Sequence, residues 1–242
     1  MHLTTQEIQA FQDAGVLLKT GLVPAATTQR IRQECRNIHQ RMRQAPPAGV
    51  HISWEDEDTR EWIRQLMHSE LISPTLNALL RNDTILDIVE DLIGPDISLY
   101  HSKLLPKSRG TGAEVPWHQD YAYWRQDANQ PLMVNCMLAI DPADEHNGCL
   151  EFLPGSHKWG LQEHERHQEA FGVFLPGRYY PRPEGQAFPM QPGDALFFTS
   201  LVIHGSAPNR SDVDRWANTI AYNVTGNGRD QCREVLRGRP LA

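Results

Sequence analysis

The chain has 242 residues, 40% of them hydrophobic and 22% charged, which suits one globular domain with a sizeable core. A formal net charge of −7 and a pI near 5.9 exclude a general nucleic-acid binder, which needs basic patches to meet phosphate. No run approaches the roughly 18–20 apolar residues of a membrane helix; the opening Met1-His2-Leu3-Thr4 has no secretory-signal pattern, so a cytoplasmic protein without membrane contact is expected.

In chain order, Thr4-Thr5-Gln6-Glu7 reads as a helix start, and that helix runs to Gly15. Val16-Leu17-Leu18-Lys19 is short and apolar, as a strand is. Pro24 opens a long polar helix to about Arg43, with Ile31, Cys35, Ile38 and Met42 on one face, and Pro46-Pro47-Ala48-Gly49 ends it. Further helices are predicted over Thr59–Met67 and Asn82–Ile93, the latter stopped by Gly94-Pro95. Residues 1–96 are therefore expected to be mainly helical.

From Ile97 the texture changes to short apolar runs between Gly, Pro and Asn turns. Strands are predicted at Ile97–Leu105, Val115–Tyr123, Leu132–Ile140, Cys149–Leu153, Ala187–Met190, Ala195–Ile203 and Trp216–Val224. Helices followed by strands give an α+β chain with a jelly-roll core over 97–225, within one domain spanning 1–242. Lys158–Gly185, with Arg178-Tyr179-Tyr180, reads as a long loop able to cover a site. The four cysteines have no Cys-x-x-Cys spacing, and Cys136 and Cys149 sit in apolar runs as buried thiols.

Chemistry concentrates in Trp117-His118-Gln119-Asp120. On a strand, positions i and i+2 share a face, so His118 and Asp120 would project together and share one metal ion. By itself such a pair is more often hydrogen-bonded core or surface. His204, far downstream in Ile203-His204-Gly205-Ser206, would complete two histidines and one carboxylate with positions left open, the facial triad of non-haem Fe(II) oxygenases. Arg215 follows eleven residues later; its bidentate guanidinium suits a dicarboxylate, although Asp212 and Asp214 could also pair with it on a surface.

Four features together resemble the phytanoyl-CoA dioxygenase family: Trp117-His118-Gln119-Asp120, Asn147-Gly148-Cys149-Leu150, Leu153-Pro154-Gly155-Ser156-His157-Lys158, and the spaced set Gly193-Asp194, Phe198, His204, Ser206, Asn209, Ser211, Arg215. The likeness runs from Leu3-Thr4 to about Tyr222. It implies a double-stranded β-helix (jelly roll) with N-terminal helices packed on one sheet, and Fe(II), 2-oxoglutarate and O2 as cofactor and co-substrates. Carried over, His118, Asp120 and His204 are the metal ligands, and Arg215 with Ser206 grips the distal carboxylate. Lys103 and Met137 fall where family members line the 2-oxoglutarate pocket, with a solvated lysine and plain core as the alternatives. Tyr123, Trp124 and Asn135 are candidates for the substrate wall, and His157 reads as part of a turn. The implied reaction hydroxylates an unactivated C–H bond of a small metabolite or natural-product intermediate, releasing succinate and CO2. Desaturation, epimerisation and cyclisation remain open on the same cofactors, as does a non-enzymatic metal- or small-molecule-binding jelly roll. A halogenase is disfavoured, because Asp120 occupies the position that halide would need. Substrate identity and oligomeric state are not readable from the sequence.

Overall fold

Thr4 starts the first helix with a reciprocal cap: its hydroxyl accepts the Glu7 N–H at 3.3 Å, while its own N–H donates to the Glu7 carboxylate at 2.9 Å. From this start a computed structural model describes residues 1–44, 47, 50–166, 172–176, 185–228 and 234–238. The elements are α1 (Thr5–Ala14), β1 (Val16–Lys19), α2 (Ala25–Gln44), β2 (Ile52–Trp54), β3 (Ile63–Met67), a 3-10 turn (Ser69–Leu71), α3 (Pro74–Leu80), α4 (Asp83–Ile93) and β4 (Ile97–Lys107). They continue with β5 (Val115–His118), α5 (Tyr121–Trp124), β6 (Met133–Ala139), β7 (Leu150–Phe152), a 3-10 turn (Ser156–Trp159), β8 (Glu165–Arg166) and β9 (Val173–Phe174). Last come β10 (Gln186–Ala187), β11 (Ala195–Thr199), β12 (His204–Ser206), β13 (Arg215–Val224) and β14 (Glu234–Arg237).

The larger antiparallel sheet runs β1-β11-β6-β13-β4-β3-β2, with β14 also on β4; the smaller runs β10-β7-β12-β5. The expected α+β jelly roll is what the chain forms. On β6, Val134, Cys136 and Leu138 turn outward to a core shared with α2 and α4, where Ile31, Cys35, Ile38, Ile85 and Ile88 are buried. Met137 and Ala139, on the opposite face of β6, pack with Leu150, Phe152 and Phe198 between the two sheets. The N-terminal helices thus back the larger sheet, and its inner face is left for the site. No helix among the described residues is long and apolar enough to cross a membrane.

Several boundaries differ from the sequence reading. Ile63–Met67 is a strand, not a helix, because Leu66 and Met67 pair with Leu104 and Lys103 and a sheet edge supplies the hydrogen bonds. Val16–Lys19 is the strand expected there, and β2 and β3 add two strands that the sequence reading does not place in 1–96. The strand from Val115 stops at His118, and the one from Ala195 stops at Thr199. Cys35, Cys136 and Cys149 are free and buried. Ala45, Pro46, Ala48, Gly49, Arg178, Tyr179, Tyr180 and Cys232 lie outside the described residues.

Candidate metal centre

His118 ends β5 and His204 opens β12, and the two residues face each other directly in the antiparallel ladder. Asp120 is not on the strand with His118: its backbone is helical (φ −58, ψ −34) and it starts α5. The chain turns at Gln119 instead. Its buried side chain donates to Gly160 O at 2.9 Å and Leu201 O at 2.6 Å, and accepts the Gln162 N–H at 2.7 Å. This clamp, with Tyr121 N–H on Ser200 O, swings Asp120 beneath both rings. The i, i+2 pairing of His118 and Asp120 therefore comes from a turn, not from strand alternation.

The Asp120 carboxylate lies 3.8 Å from His118 Nε2 and 3.7 Å from His204 Nε2. One donor atom from each residue falls within 4.8 Å of the others, and all three residues are buried. His118 Nδ1 meets Pro116 O at 2.8 Å and His204 Nδ1 meets Val202 O at 3.1 Å. Those carbonyls hold the protons on Nδ1 and leave both Nε2 lone pairs facing the carboxylate, as metal ligation requires. Burial, and then the neighbouring His204, hold the His118 imidazole down at about 3, so it is a neutral donor. Phe152 and Phe198 pack on the His204 ring at 5.5 and 5.0 Å and fix its plane. Asn135, a candidate for the substrate wall, lines the cavity, and its Nδ2 donates to Asp120 Oδ2 at 2.8 Å, which orients that carboxylate.

A cavity of about 500 Å³ opens from the triad between the sheets. Arg215, first residue of β13, is directly opposite Lys107 on β4, and both are buried. Lys107 Nζ donates to Ser206 Oγ at 2.7 Å and to Ala207 O, while an Arg215 Nη donates to Gly148 O. Gly148 has φ +74, and a Cβ there would come within 2.2 Å of Ala207 O, so only glycine lets the turn close on these cations. Burial lowers Arg215 to about 10, which leaves it charged at neutral pH. Its Nε is buried without an acceptor. A buried guanidinium with an orphaned donor, beside an ammonium and a hydroxyl, is a fitting seat for a carboxylate. Met137 lines the same cavity, opposite Thr219. Lys103 lines it too, but near Asp120 and over the Trp124 ring at 5.8 Å. Tyr123 also faces the cavity; its hydroxyl holds both backbone groups of Val173, tying β9 to the site. His157 turns away and bonds Gln12 O at 3.1 Å.

The sequence model of Phytanoyl-CoA dioxygenase (PhyH) matches residues 11–217. The chain belongs to the phytanoyl-CoA dioxygenase family. It is 29% identical over 231 residues to peroxisomal phytanoyl-CoA dioxygenase of Bos taurus, covering 89% of this chain and 67% of that one. It is also 29% identical over 230 residues to the methylphosphonate hydroxylase of Gimesia maris, covering 93% and 83%. The fold superposes on that of EctD from S. alaskensis, solved with 2-oxoglutarate and 5-hydroxyectoine, with a TM-score of 0.77 at 19% identity, over 99% of this chain and 86% of that one. The protein is thus an iron(II)- and 2-oxoglutarate-dependent dioxygenase, and its donor set of two imidazoles and one carboxylate suits that metal. Sequence reasoning on this dioxygenase missed Lys107, because β4 was read as ending at Leu105, two residues early. The period-two set His101, Lys103, Leu105, Lys107 was the available signal.

Proposed function

We infer that this dioxygenase hydroxylates an unactivated C–H bond of a small molecule, with His118, Asp120 and His204 holding iron(II) and Arg215, Ser206 and Lys107 holding the distal carboxylate of 2-oxoglutarate. The observation that carries the reading is the convergence of three metal-ligating atoms within 4.8 Å in a cavity whose far wall carries a buried guanidinium. When bound, iron supplies the redox chemistry that couples O2 and 2-oxoglutarate to succinate, CO2 and an alcohol. The protein's own residues supply placement. The two backbone-anchored imidazoles present lone pairs, Asp120 offsets one charge of the metal, and Asn135 fixes the plane of that carboxylate. Arg215 and Lys107 fix one end of the co-substrate, so its other end is presented toward the triad. Phe152, Phe198 and Leu150 line the interior and keep water from the reacting atoms.

A cavity of this size supports a small metabolite or natural-product intermediate, and the relative that hydroxylates methylphosphonate is consistent with hydroxylation. The sheets draw on both halves of the chain, which supports one oxygenase domain over 1–242. Three free, buried cysteines and the acidic charge fit work in the cytoplasm away from nucleic acid. The test is anaerobic titration with iron(II) and 2-oxoglutarate, then succinate formation across a metabolite panel. Stoichiometric binding of both and substrate-stimulated succinate are expected; a protein that binds neither would sink the reading.

A further inference from the structure

Four inward side chains line up along β4 at period two: His101, Lys103, Leu105 and Lys107. Lys107 belongs with Arg215. Lys103 pairs instead with Thr219 of β13 on one side and Met67 of β3 on the other. Among the described residues its ammonium makes no hydrogen bond; it lies over the face of Trp124, and Asp120 is the charge that acts on it. A ring face attracts the cation but satisfies none of its three N–H donors. Next to it, the Thr219 hydroxyl is buried without a partner and also lines the cavity. Two adjacent donors without acceptors, on neighbouring strands, describe a place for an oxyanion.

That place stands at the iron end of the cavity, apart from the Lys107–Arg215 seat. Along the strands, the Lys103–Thr219 pair stands four residues from the Lys107–Arg215 pair, roughly 13 Å at about 3.3 Å per residue. Arg215 is under the influence of Cys149 and Asp141, whereas Lys103 is under that of Asp120, so the two cations serve opposite ends of the cavity. Charge points the same way. Iron and Lys103 bring three positive charges to one end, and Asp120 with one co-substrate carboxylate leaves one of them unmatched.

Resting on the oxygenase reading of the same site, we propose that Lys103 and Thr219 bind an anionic oxygen group of the substrate, and that the substrate is a small carboxylate or phosphoryl compound. Lys103 is then the residue that selects an anion over its neutral and cationic counterparts, and Thr219 adds the second hydrogen bond.

The test is calorimetric titration with benzoate, butyrate and inorganic phosphate, set against benzamide and butylamine. It uses the protein loaded anaerobically with iron(II) and 2-oxoglutarate, and the metal-free protein beside it. The unaltered protein should bind the anions in preference to both other classes, and benzoate against phosphate reports which oxyanion fits. Lys103→Met, which keeps the length and removes the charge, should weaken the anions by about tenfold or more. Thr219→Val should weaken them by a smaller factor, and Lys103→Arg should keep the preference. Affinity for 2-oxoglutarate should fall by a smaller factor than affinity for the anions in the Lys103→Met and Thr219→Val variants, since Arg215 and Lys107 are untouched. Equal binding of benzamide and benzoate, or no anion binding at all, overturns the proposal. So does a Lys103→Met variant that loses 2-oxoglutarate and keeps the anions. Failure to take up iron or 2-oxoglutarate would count against the oxygenase reading instead, and the metal-free titration would still report on Lys103.

Discussion

The two faces of the strand Met133–Ala139 carry different chemistry within one stretch of backbone. Outward, Val134, Cys136 and Leu138 are fully buried against the helices, in a cluster that also takes in Ile38, Ile88 and Tyr222. Inward, Asn135 bonds Asp120, and Met137 lines the cavity. The next strand repeats the contrast: Trp216, Ile220 and Tyr222 face the helices, while Arg215 and Thr219 face the cavity with buried donors that no protein group satisfies. Leaving such groups unmatched costs about 1–3 kcal/mol each, and the apolar face behind them offsets it. Alternation at period two lets one sheet hold a stable core and an unsatisfied, ligand-seeking surface less than a side chain apart.

The largest expected effect is on the inward side. Removing His204 or Asp120 by alanine should abolish turnover and iron binding while the thermal midpoint stays close to that of the unaltered protein, because the outer core is untouched. Iron content and a melting curve on the same sample check this. If Asp120→Ala keeps near-normal iron affinity and more than about a hundredth of the activity, Asp120 acts through another ligand. The outward counterpart is Leu138→Ala. It should cost about 2–5 kcal/mol in urea unfolding, yet leave turnover per iron-loaded molecule unchanged. A Leu138→Ala protein with full stability and damaged catalysis would break the division between the faces.

How much of this division is legible in the sequence depends on how local its cause is. The outer faces are spelled out by spacing: Ile31, Cys35, Ile38 and Met42 repeat at helical intervals, and all are buried as read. His118, Asp120, His204 and Arg215 are legible as candidates from their motifs, and all four line one cavity. The reason two of them meet was misread, since the turn at Gln119 is set by carbonyls at Gly160 and Leu201, far along the chain. Lys107 lies past the strand end that the pattern predicts, and Ile63–Met67 falls in a segment with a helix's pattern, because its pairing with β4 is a tertiary fact. What neighbours supply across the sheet is not written in a segment's own pattern.

At the far wall of the cavity the expected effect is smaller than at the triad. Arg215→Ala should weaken 2-oxoglutarate by about 1.5–3 kcal/mol, the scale of a charge-assisted hydrogen bond to a carboxylate. Arg215→Lys should recover only part, because a point charge does not form the planar fork. Competition calorimetry on the iron-loaded protein measures both. An unchanged affinity in Arg215→Ala would move the co-substrate's seat to Lys107 alone.

The smallest effect should come from Asn135, on the same strand as Leu138 but facing the other way. Its amide donates to Asp120 Oδ2 at 2.8 Å, the oxygen that lies 3.7 Å from His204 Nε2. That bond fixes the rotation of the carboxylate, so that its other oxygen faces His118 Nε2 at 3.8 Å. Asn135→Ala frees the rotation without removing a ligand, and the usual consequence is a loss of about 10–100-fold in metal affinity or activity. Asn135→Asp should be worse than alanine, because a second carboxylate in hydrogen-bond reach of Asp120 repels it and disfavours its charged form. A substrate-wall role predicts a different split: iron affinity unchanged in both variants, with the Michaelis constant for the organic substrate raised. Iron titration therefore decides between the two. A weakened metal places Asn135 with the triad, and an unweakened one returns it to the substrate wall.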